Sequence, residues 1–306
     1  MNPYVFVVGC PRSGTTLLQR MLDHHPELTV TNDTHFIPRA VAGLPIIDGI
    51  PLTPELVDRV VTYHRFRRLE VDASTARQLA TTFTSYAQFV AALYDQVALD
   101  RGKPLAGEKT PDYVRHLPLL HRLFPDARII HIIRDGRDVA LSTREWATPT
   151  KGPGRHALWR ENPIAVCALW WQRQVTIGRN ALDELNGHYY EVRYEALVHD
   201  PEPVMRALSA FLTLQYSDSM LRFHEGKARP DSGLSAKKAW LPVTRGIRNW
   251  HTELDADDLQ LFELLAGDTL NELGYERTVA RQESRRMQQQ AQHYRNEWEQ
   301  LISDRP

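Results

Sequence analysis

The 306-residue chain has few cysteines, no excess of charge of one sign and no long apolar run, and each shortage excludes a class of protein. Its two cysteines, Cys10 and Cys167, form neither a disulfide framework nor a metal-ligand set, so we expect a reducing compartment and no metal. The net charge of -1 provides no global basic field for nucleic acid or an anionic membrane. No apolar run approaches the roughly 20 residues of a membrane-spanning helix, and no signal peptide precedes the first predicted strand. The sequence therefore predicts a cytoplasmic protein without a nucleic-acid partner or a membrane span.

A glycine-bounded loop at residues 9–16, GCPRSGTT, is the most informative segment of the chain. It lies between a strand-like run at 4–8 and a helix-like run at 17–22. This arrangement binds phosphate on backbone N–H groups at a helix N-terminus, and Gly9 and Gly14 have the separation of a P-loop. Thr15, however, occupies the position of the lysine that reaches the γ-phosphate of a nucleoside triphosphate. Because Arg12 lies inside the loop, we interpret it as a site for a nucleotide without a γ-phosphate.

Four further strand-like segments, at 28–31, 105–107, 128–133 and 188–193, alternate with helical patterns. The alternation predicts an α/β fold with three P-loop-like layers and a central, mostly parallel sheet. Single long helices are predicted at 162–185, 201–212 and 255–273.

The order of these segments also suggests the domain organisation. We assign residues 1–276 to one domain with a helical insert at about 53–101, and residues 277–306 to a C-terminal charged helix. In that helix apolar residues recur every three or four positions, which predicts docking on the body or on a second copy in a homodimer. They are Met287, Ala291, Tyr294, Trp298 and Leu301.

A second candidate anion site follows the apolar strand at 128–133. Residues 134–142 read RDGRDVALS, so Arg134 is placed at the carboxyl end of a central strand, where open α/β sheets bind ligands. Ser142 follows eight residues later, about two turns into the next helix. The guanidinium and the hydroxyl could therefore bond one phosphate.

Together the two elements resemble the sulfotransferases that use 3′-phosphoadenosine-5′-phosphosulfate (PAPS). In that family a PRSGTT loop holds the 5′-phosphosulfate, and an Arg-x7-Ser pair holds the 3′-phosphate. The chain is most similar to the bacterial and tyrosylprotein-sulfotransferase-like branch, through segments at 21–27, 34–39, 108–111 and 192–201. The resemblance extends over residues 5–275, is weak in the insert and is absent from the tail. It implies PAPS as sulfuryl donor, an acceptor hydroxyl or amine, and no metal.

The resemblance implies that four side chains carry the transfer chemistry. Arg12 and Lys109 would stabilise the negative charge that develops on the leaving phosphate during in-line transfer. A gapless alignment places Asp33 at the position of the branch's general base, and His35, two residues later, is the rival base. The base of the cytosolic small-molecule branch is absent, because Pro111 occupies its place.

The resemblance also implies a set of residues that bind the nucleotide. The loop would supply backbone and hydroxyl donors, an aromatic ring would contact adenine, and two later arginines would close over the 3′-phosphate. These residues are Arg12, Ser13, Gly14, Thr15, Thr16, Arg134, Ser142, Tyr194, Arg245 and Arg248. Three tryptophans, Trp159, Trp170 and Trp171, could wall an acceptor pocket, although their helical spacing favours a place in the core.

Two other functions are compatible with the same loop. One is a P-loop phosphotransferase that uses ATP, against which Thr15 stands in place of lysine. The other is a catalytically inactive nucleotide-binding protein. The sequence does not name the acceptor, which we expect to be a small molecule, a carbohydrate or a lipid, because acceptor choice depends on the insert and the loops.

Overall fold

The computed structural model describes residues 3–45, 49–185, 187–225, 241–244, 246–278 and 285–303. Within these ranges, five strands form one sheet in the order β2-β3-β1-β4-β5. They are β1 (Val5–Val8), β2 (Leu28–Asn32), β3 (Leu105–Lys109), β4 (Arg128–Ile133) and β5 (Tyr189–Arg193). Every neighbouring pair is parallel. The predicted α/β fold with a central parallel sheet is therefore confirmed.

The register of the strands places their carboxyl ends at one edge of the sheet. Phe6 of β1 lies opposite Glu108 of β3 and Ile129 of β4, and Ile133 of β4 lies opposite Arg193 of β5. β1 is buried along its whole length, as is expected of a strand that is covered on both faces. The loops that follow the strands therefore meet at this edge, where open α/β sheets bind ligands.

Helices pack on both faces of the sheet and connect successive strands. They are α1 (Thr15–Asp23), α2 (Phe36–Ala40), α3 (Pro54–Val61), α4 (Ala73–Ala80), α5 (Tyr86–Asp100), α6 (Leu117–Leu123), α7 (Gly136–Trp146), α8 (Pro163–Asn180), α9 (Leu182–Leu185), α10 (Tyr194–His199), α11 (Pro201–Phe211), α12 (Trp250–Glu253), α13 (Ala256–Glu272) and α14 (Arg285–Ser303). The single helix predicted over 162–185 is wrong, because α8 ends at Asn180, a weak helix former, and α9 begins at Leu182. In the described part of the chain, no helix combines the length and the apolar character that crossing a membrane requires.

The insert between β2 and β3 contains α3, α4 and α5. Ser85 caps α5 by accepting a hydrogen bond from the Gln88 N–H. The next turns bury Tyr86 and Tyr94 completely, in one hydrophobic cluster with Phe6 of β1. The insert thus shares a core with the sheet.

The C-terminal helix α14 docks on the body of the same chain. Ala291, Tyr294 and Trp298 are buried in the cluster that contains residues of α8 and α13. Arg295 donates a hydrogen bond to the carbonyl oxygen of Leu264 in α13. The apolar stripe read from the sequence is therefore the docking face of this helix.

Candidate active site

The glycine-bounded loop turns sharply between β1 and α1, and two close contacts require its glycines. Gly14 has φ of 90°, and a Cβ there would lie 2.3 Å from Cδ2 of Tyr194. Gly9 has φ of 149°, and a Cβ there would lie 2.5 Å from the carbonyl oxygen of Ile132. The Ser13 hydroxyl is buried without a hydrogen-bond partner among the described residues. Because it lies in the glycine-bounded loop, this hydroxyl is available to donate a hydrogen bond to an anion bound there.

Arg12 and Ser142 meet directly at the carboxyl edge of the sheet. Nε of Arg12 donates to Oγ of Ser142 at 2.9 Å, which joins the loop after β1 to helix α7. Arg12 is itself in the left-handed region, with φ of 80°. Burial lowers the pKa of Arg12, and the nearby charges of Arg248 and Arg134 lower it further. This concentration of positive charge favours an anion between these side chains.

Arg134 lies beside the same loop and stacks on an aromatic ring. Its Cζ is 4.4 Å from the centroid of Tyr194, and its Nη2 donates to Oδ2 of Asp138 at 3.0 Å. Its Nε is buried without a partner among the described residues. Because Tyr194 also contacts Gly14, one ring joins both predicted anion-binding segments.

Lys109 links the loop to the predicted base. Its side chain is 1% exposed, and its Nζ lies 3.0 Å from Oδ1 of Asp33 and 3.3 Å from Oγ1 of Thr16. Burial raises the pKa of Asp33, but the charge and hydrogen bond of Lys109, with smaller contributions from His35 and Arg68, bring it below its ordinary value. Asp33 is therefore an ionised carboxylate at neutral pH.

His35 lies next to this pair but makes a different set of contacts. Its ring centroid is 6.4 Å from that of Tyr113. Burial, followed by the charge of Arg65, lowers the pKa of His35 to about 4, against the opposing effect of Asp33. The imidazole is thus neutral at physiological pH and can accept a proton.

Of the two later arginines that were predicted to close over the 3′-phosphate, Arg245 lies outside the described residues. Arg248 pairs with Glu145 and with Glu253, whose Oε2 is 3.3 Å from its Nη1. Its charge acts on Arg12, so it belongs to the same edge of the sheet, although its hydrogen bonds go to carboxylates.

Two of the three tryptophans considered for an acceptor pocket belong to the core. Trp171 is fully buried, packs on Gly136 and Phe262, and donates Nε1 to the Arg134 carbonyl oxygen at 3.1 Å. Trp170 is also buried and stacks with Trp146. Neither ring is open to an acceptor.

The sequence did not predict the place of two cations near Asp33, Arg68 and Lys151. Nη1 of Arg68 is 3.7 Å from Oδ2 of Asp33. Lys151 lies over the ring of Trp146 at 4.8 Å, and its pKa is lowered by burial and then by the charges of Arg12 and Arg65. The arginines at 65, 67 and 68 are visible in the sequence. The approach of Arg68 to Asp33, however, depends on how the insert packs against the sheet.

The fold and these loops define a P-loop-like α/β protein. A model of the Sulfotransferase family matches residues 3–218, more than half of the chain. The chain therefore belongs to the sulfotransferase family.

Individual relatives are similar over most of this chain. The nodulation protein NoeE of Sinorhizobium fredii is 29% identical over 296 residues, which cover 90% of this chain and 66% of NoeE. Human protein-tyrosine sulfotransferase 1 is 29% identical over 285 residues, which cover 90% of this chain and 70% of that protein. The chain thus spans about two thirds of the length of both relatives. The sulfotransferase domain of the Synechococcus PCC 7002 olefin synthase matches with a TM-score of 0.58 at 23% identity, over 90% of this chain and 95% of that domain.

Proposed function

We propose that the chain transfers the sulfuryl group of PAPS to an acceptor hydroxyl or amine. The observation that carries the proposal is the position of Lys109, which contacts both the loop residue Thr16 and the carboxylate of Asp33. A cation beside the phosphate-binding loop and a proton acceptor are thus held together. In-line transfer of a sulfuryl group can use the cation to stabilise the leaving oxygen and the carboxylate to accept the proton of the acceptor.

The side chains around the loop suit the anionic groups of the donor. The buried Ser13 hydroxyl and the Arg134 Nε lack partners among the described residues, and both can donate to phosphate oxygens. Arg12 and Ser142 are assigned to opposite ends of the nucleotide by the family resemblance, yet they bond to each other. Binding of the nucleotide would therefore exchange this bond for bonds to its phosphates.

The chemistry that we assign to the protein consists of charge stabilisation and one proton transfer. Lys109 and Arg12 would neutralise the bridging oxygen as its bond to sulfur breaks. Asp33 would accept the proton of the acceptor while the acceptor oxygen bonds to sulfur. We favour Asp33 over His35 as the base because Asp33 contacts Lys109, the cation next to the loop.

Calorimetric titration tests the donor site. Adenosine 3′,5′-bisphosphate (PAP), 5′-AMP and Mg-ATP would each be titrated into the wild type, Ser142→Ala and Thr143→Val. Thr143 is the matched control, because it is the next residue on α7 and its buried hydroxyl has no partner among the described residues. Loss of a hydrogen bond to a charged group is worth about 1.5–3 kcal/mol, so Ser142→Ala should weaken PAP about 10- to 150-fold. Binding of 5′-AMP should change little, and a preference for Mg-ATP would return the chain to the phosphotransferase alternative.

Steady-state kinetics test the base. PAP release from PAPS would be followed with a panel of phenols, sugars and hydroxylated lipids, since the acceptor class stays a prediction. Asp33→Asn should lower kcat on the order of 10²- to 10⁴-fold and leave PAP affinity unchanged. Asp112→Asn is the control, because that carboxylate is bound by Arg115 instead. Full activity in Asp33→Asn, with loss in His35→Ala, would assign the base to His35.

A further inference from the structure

Glu108 is a fully buried carboxylate next to Lys109, and it is surrounded by hydrogen-bond donors. Its Oε1 accepts the Thr34 N–H at 2.9 Å and also the hydroxyls of Thr34 and Thr110. Its Oε2 accepts the hydroxyl of Tyr94 from helix α5. Burial raises the pKa of Glu108. A buried polar group with four donors specifies the position of every segment that contributes one.

Glu108 contacts the turn at residues 33–35, and the backbone of this turn is strained at both candidate bases. Asp33 and His35 have φ of 55° and 60°, in the left-handed region that side chains other than glycine rarely adopt. Thr34 lies between them and makes two of the four bonds to Glu108. Such strain persists where the surrounding structure over-determines it, and it is concentrated at functional sites.

Lys109, the next residue of β3, holds the turn at residues 33–35 from the other side. The Asp33 N–H donates to the carbonyl oxygen of Lys109 at 2.7 Å, and the Lys109 side chain binds the Asp33 carboxylate. Successive side chains of a strand point to opposite faces. Glu108 thus fixes Thr34 on one face of β3, and Lys109 fixes Asp33 on the other.

We propose that Glu108 is a positioning residue, which locks the turn at residues 33–35 so that the Asp33 carboxylate stays against the Lys109 ammonium group. The inference deepens the proposed function, on which its kinetic consequence rests. Glu108 itself touches no reacting atom. Its role is to keep the charge pair at contact distance, because a misplacement on the order of 1 Å can lower a rate on the order of 10²-fold.

The test measures the protonation of Asp33 directly, without an acceptor. Carbon-13 NMR titration of the aspartate carboxyl groups would be run on the wild type, Glu108→Gln, Thr34→Val and Tyr86→Phe, with Asp33→Asn to assign the signal. Tyr86 is the matched control, because its buried hydroxyl binds the Ile37 carbonyl oxygen in the same core. The titratable and charged groups around Asp33 are Lys109, Arg68, His35 and, from the loop after α7, Lys151, and all of them stay unchanged in the variants that are compared.

We expect the Asp33 pKa to rise in Glu108→Gln and in Thr34→Val, because the carboxylate moves away from Lys109. Tyr86→Phe should lower the melting temperature without moving that pKa. If Glu108→Gln does not fold, Thr34→Val decides, since it removes a single hydroxyl and keeps the backbone N–H. An unchanged Asp33 pKa in the folded variants would overturn the proposal and leave Glu108 a stabilising core residue.

A kinetic arm separates this proposal from the proposed function. In Glu108→Gln we expect kcat for PAP release to fall on the order of 10- to 100-fold, with PAP affinity unchanged and the acid limb of the pH profile moved to higher pH. A wild type without PAPS turnover would refute the proposed function, while the NMR titration would still decide whether Glu108 positions Asp33. A loss of activity with an unmoved acid limb and an unmoved Asp33 pKa would indicate a structural role only.

Discussion

Replacing Lys109 with methionine tests the site most directly, because the change keeps the length of the side chain and removes its charge. In the wild type, Nζ lies 3.0 Å from the Asp33 carboxylate and is almost inaccessible to solvent. In Lys109→Met, the half-buried carboxylate keeps the more distant Arg68 as its ion-pair partner, at 3.7 Å. The variant therefore perturbs both stability and the proposed charge stabilisation.

The size of the stability effect follows from how far Asp33 is buried. Removing one partner of a buried ion pair costs about 3–5 kcal/mol. The Asp33 side chain keeps 21% exposure, and Arg68 supplies some compensation. We therefore expect a loss of about 2–3 kcal/mol in the free energy of unfolding near pH 7. The rate of sulfuryl transfer should fall on the order of 10²- to 10³-fold.

The pH dependence identifies the cause of that loss. The Asp33 pKa is lowered in the folded wild type, so the stabilisation from its pairing is present above the unfolded pKa of about 3.9 and is lost as pH falls through the folded value. The difference in unfolding free energy between wild type and Lys109→Met should therefore shrink as pH falls from about 7 to about 3.5.

Urea unfolding followed by tryptophan fluorescence would measure this difference at both pH values. Lys109→Arg serves as the control, because it retains a positive charge. A difference that stays constant from neutral to acidic pH would refute the assignment of the loss to the Asp33 pair, and it would indicate a packing defect instead.

Three further predictions concern other parts of the molecule. Gly14→Ala, whose Cβ would meet Tyr194 at 2.3 Å, should weaken PAP binding at least tenfold and destabilise the fold by about 1–3 kcal/mol, as measured by calorimetry and thermal melting; unchanged PAP affinity would contradict the geometry of the loop. Arg134→Lys keeps the charge but loses the planar contact with the ring, so PAP affinity should fall about tenfold while 5′-AMP binding is retained; equal losses for both nucleotides would be inconsistent with a 3′-phosphate site. Trp298→Ala should lower the unfolding free energy by about 3–5 kcal/mol and leave the Kd for PAP unchanged; an unchanged unfolding midpoint would show that α14 does not stabilise the body.

The sheet could be predicted because its signals are local. Each of the five predicted strand segments overlaps an observed strand, although β2 and β3 extend one and two residues further than predicted, since the apolar runs are flanked by turn and helix residues. The long helix over 162–185 could not be divided correctly, because the break at Ala181 has no glycine or proline to mark it. The docking face of α14 could be predicted from its period, but the choice between the body and a second copy required the fold.

The candidate site was only partly readable for a different reason. The loop at 9–16 and the Arg134–Ser142 pair are compact motifs, and their local geometry follows from residue type. The Arg12–Ser142 bond, by contrast, joins residues that are 130 positions apart. The cations Arg68 and Lys151 likewise act on Asp33 from the insert and from a later loop, and pairs that are distant in sequence leave no periodic signal. The roles of the individual side chains, the acceptor class, the cellular compartment and the domain boundary stay predictions.

Asp33 and Lys109, which touch each other, are also the two ends of a 76-residue excursion that contains the whole helical insert. The excursion leaves the sheet after β2 and returns through β3, which is the immediate neighbour of β2. The ion pair therefore joins the two ends of the excursion. The insert at residues 53–101 can then change in length and sequence without moving the pair, provided that it keeps the Tyr94 contact with Glu108 and still covers the same face of the sheet. Chimeras that exchange only residues 53–101 between relatives should therefore transfer acceptor preference while the reacting groups stay in place, which makes this excursion a natural unit for recombination.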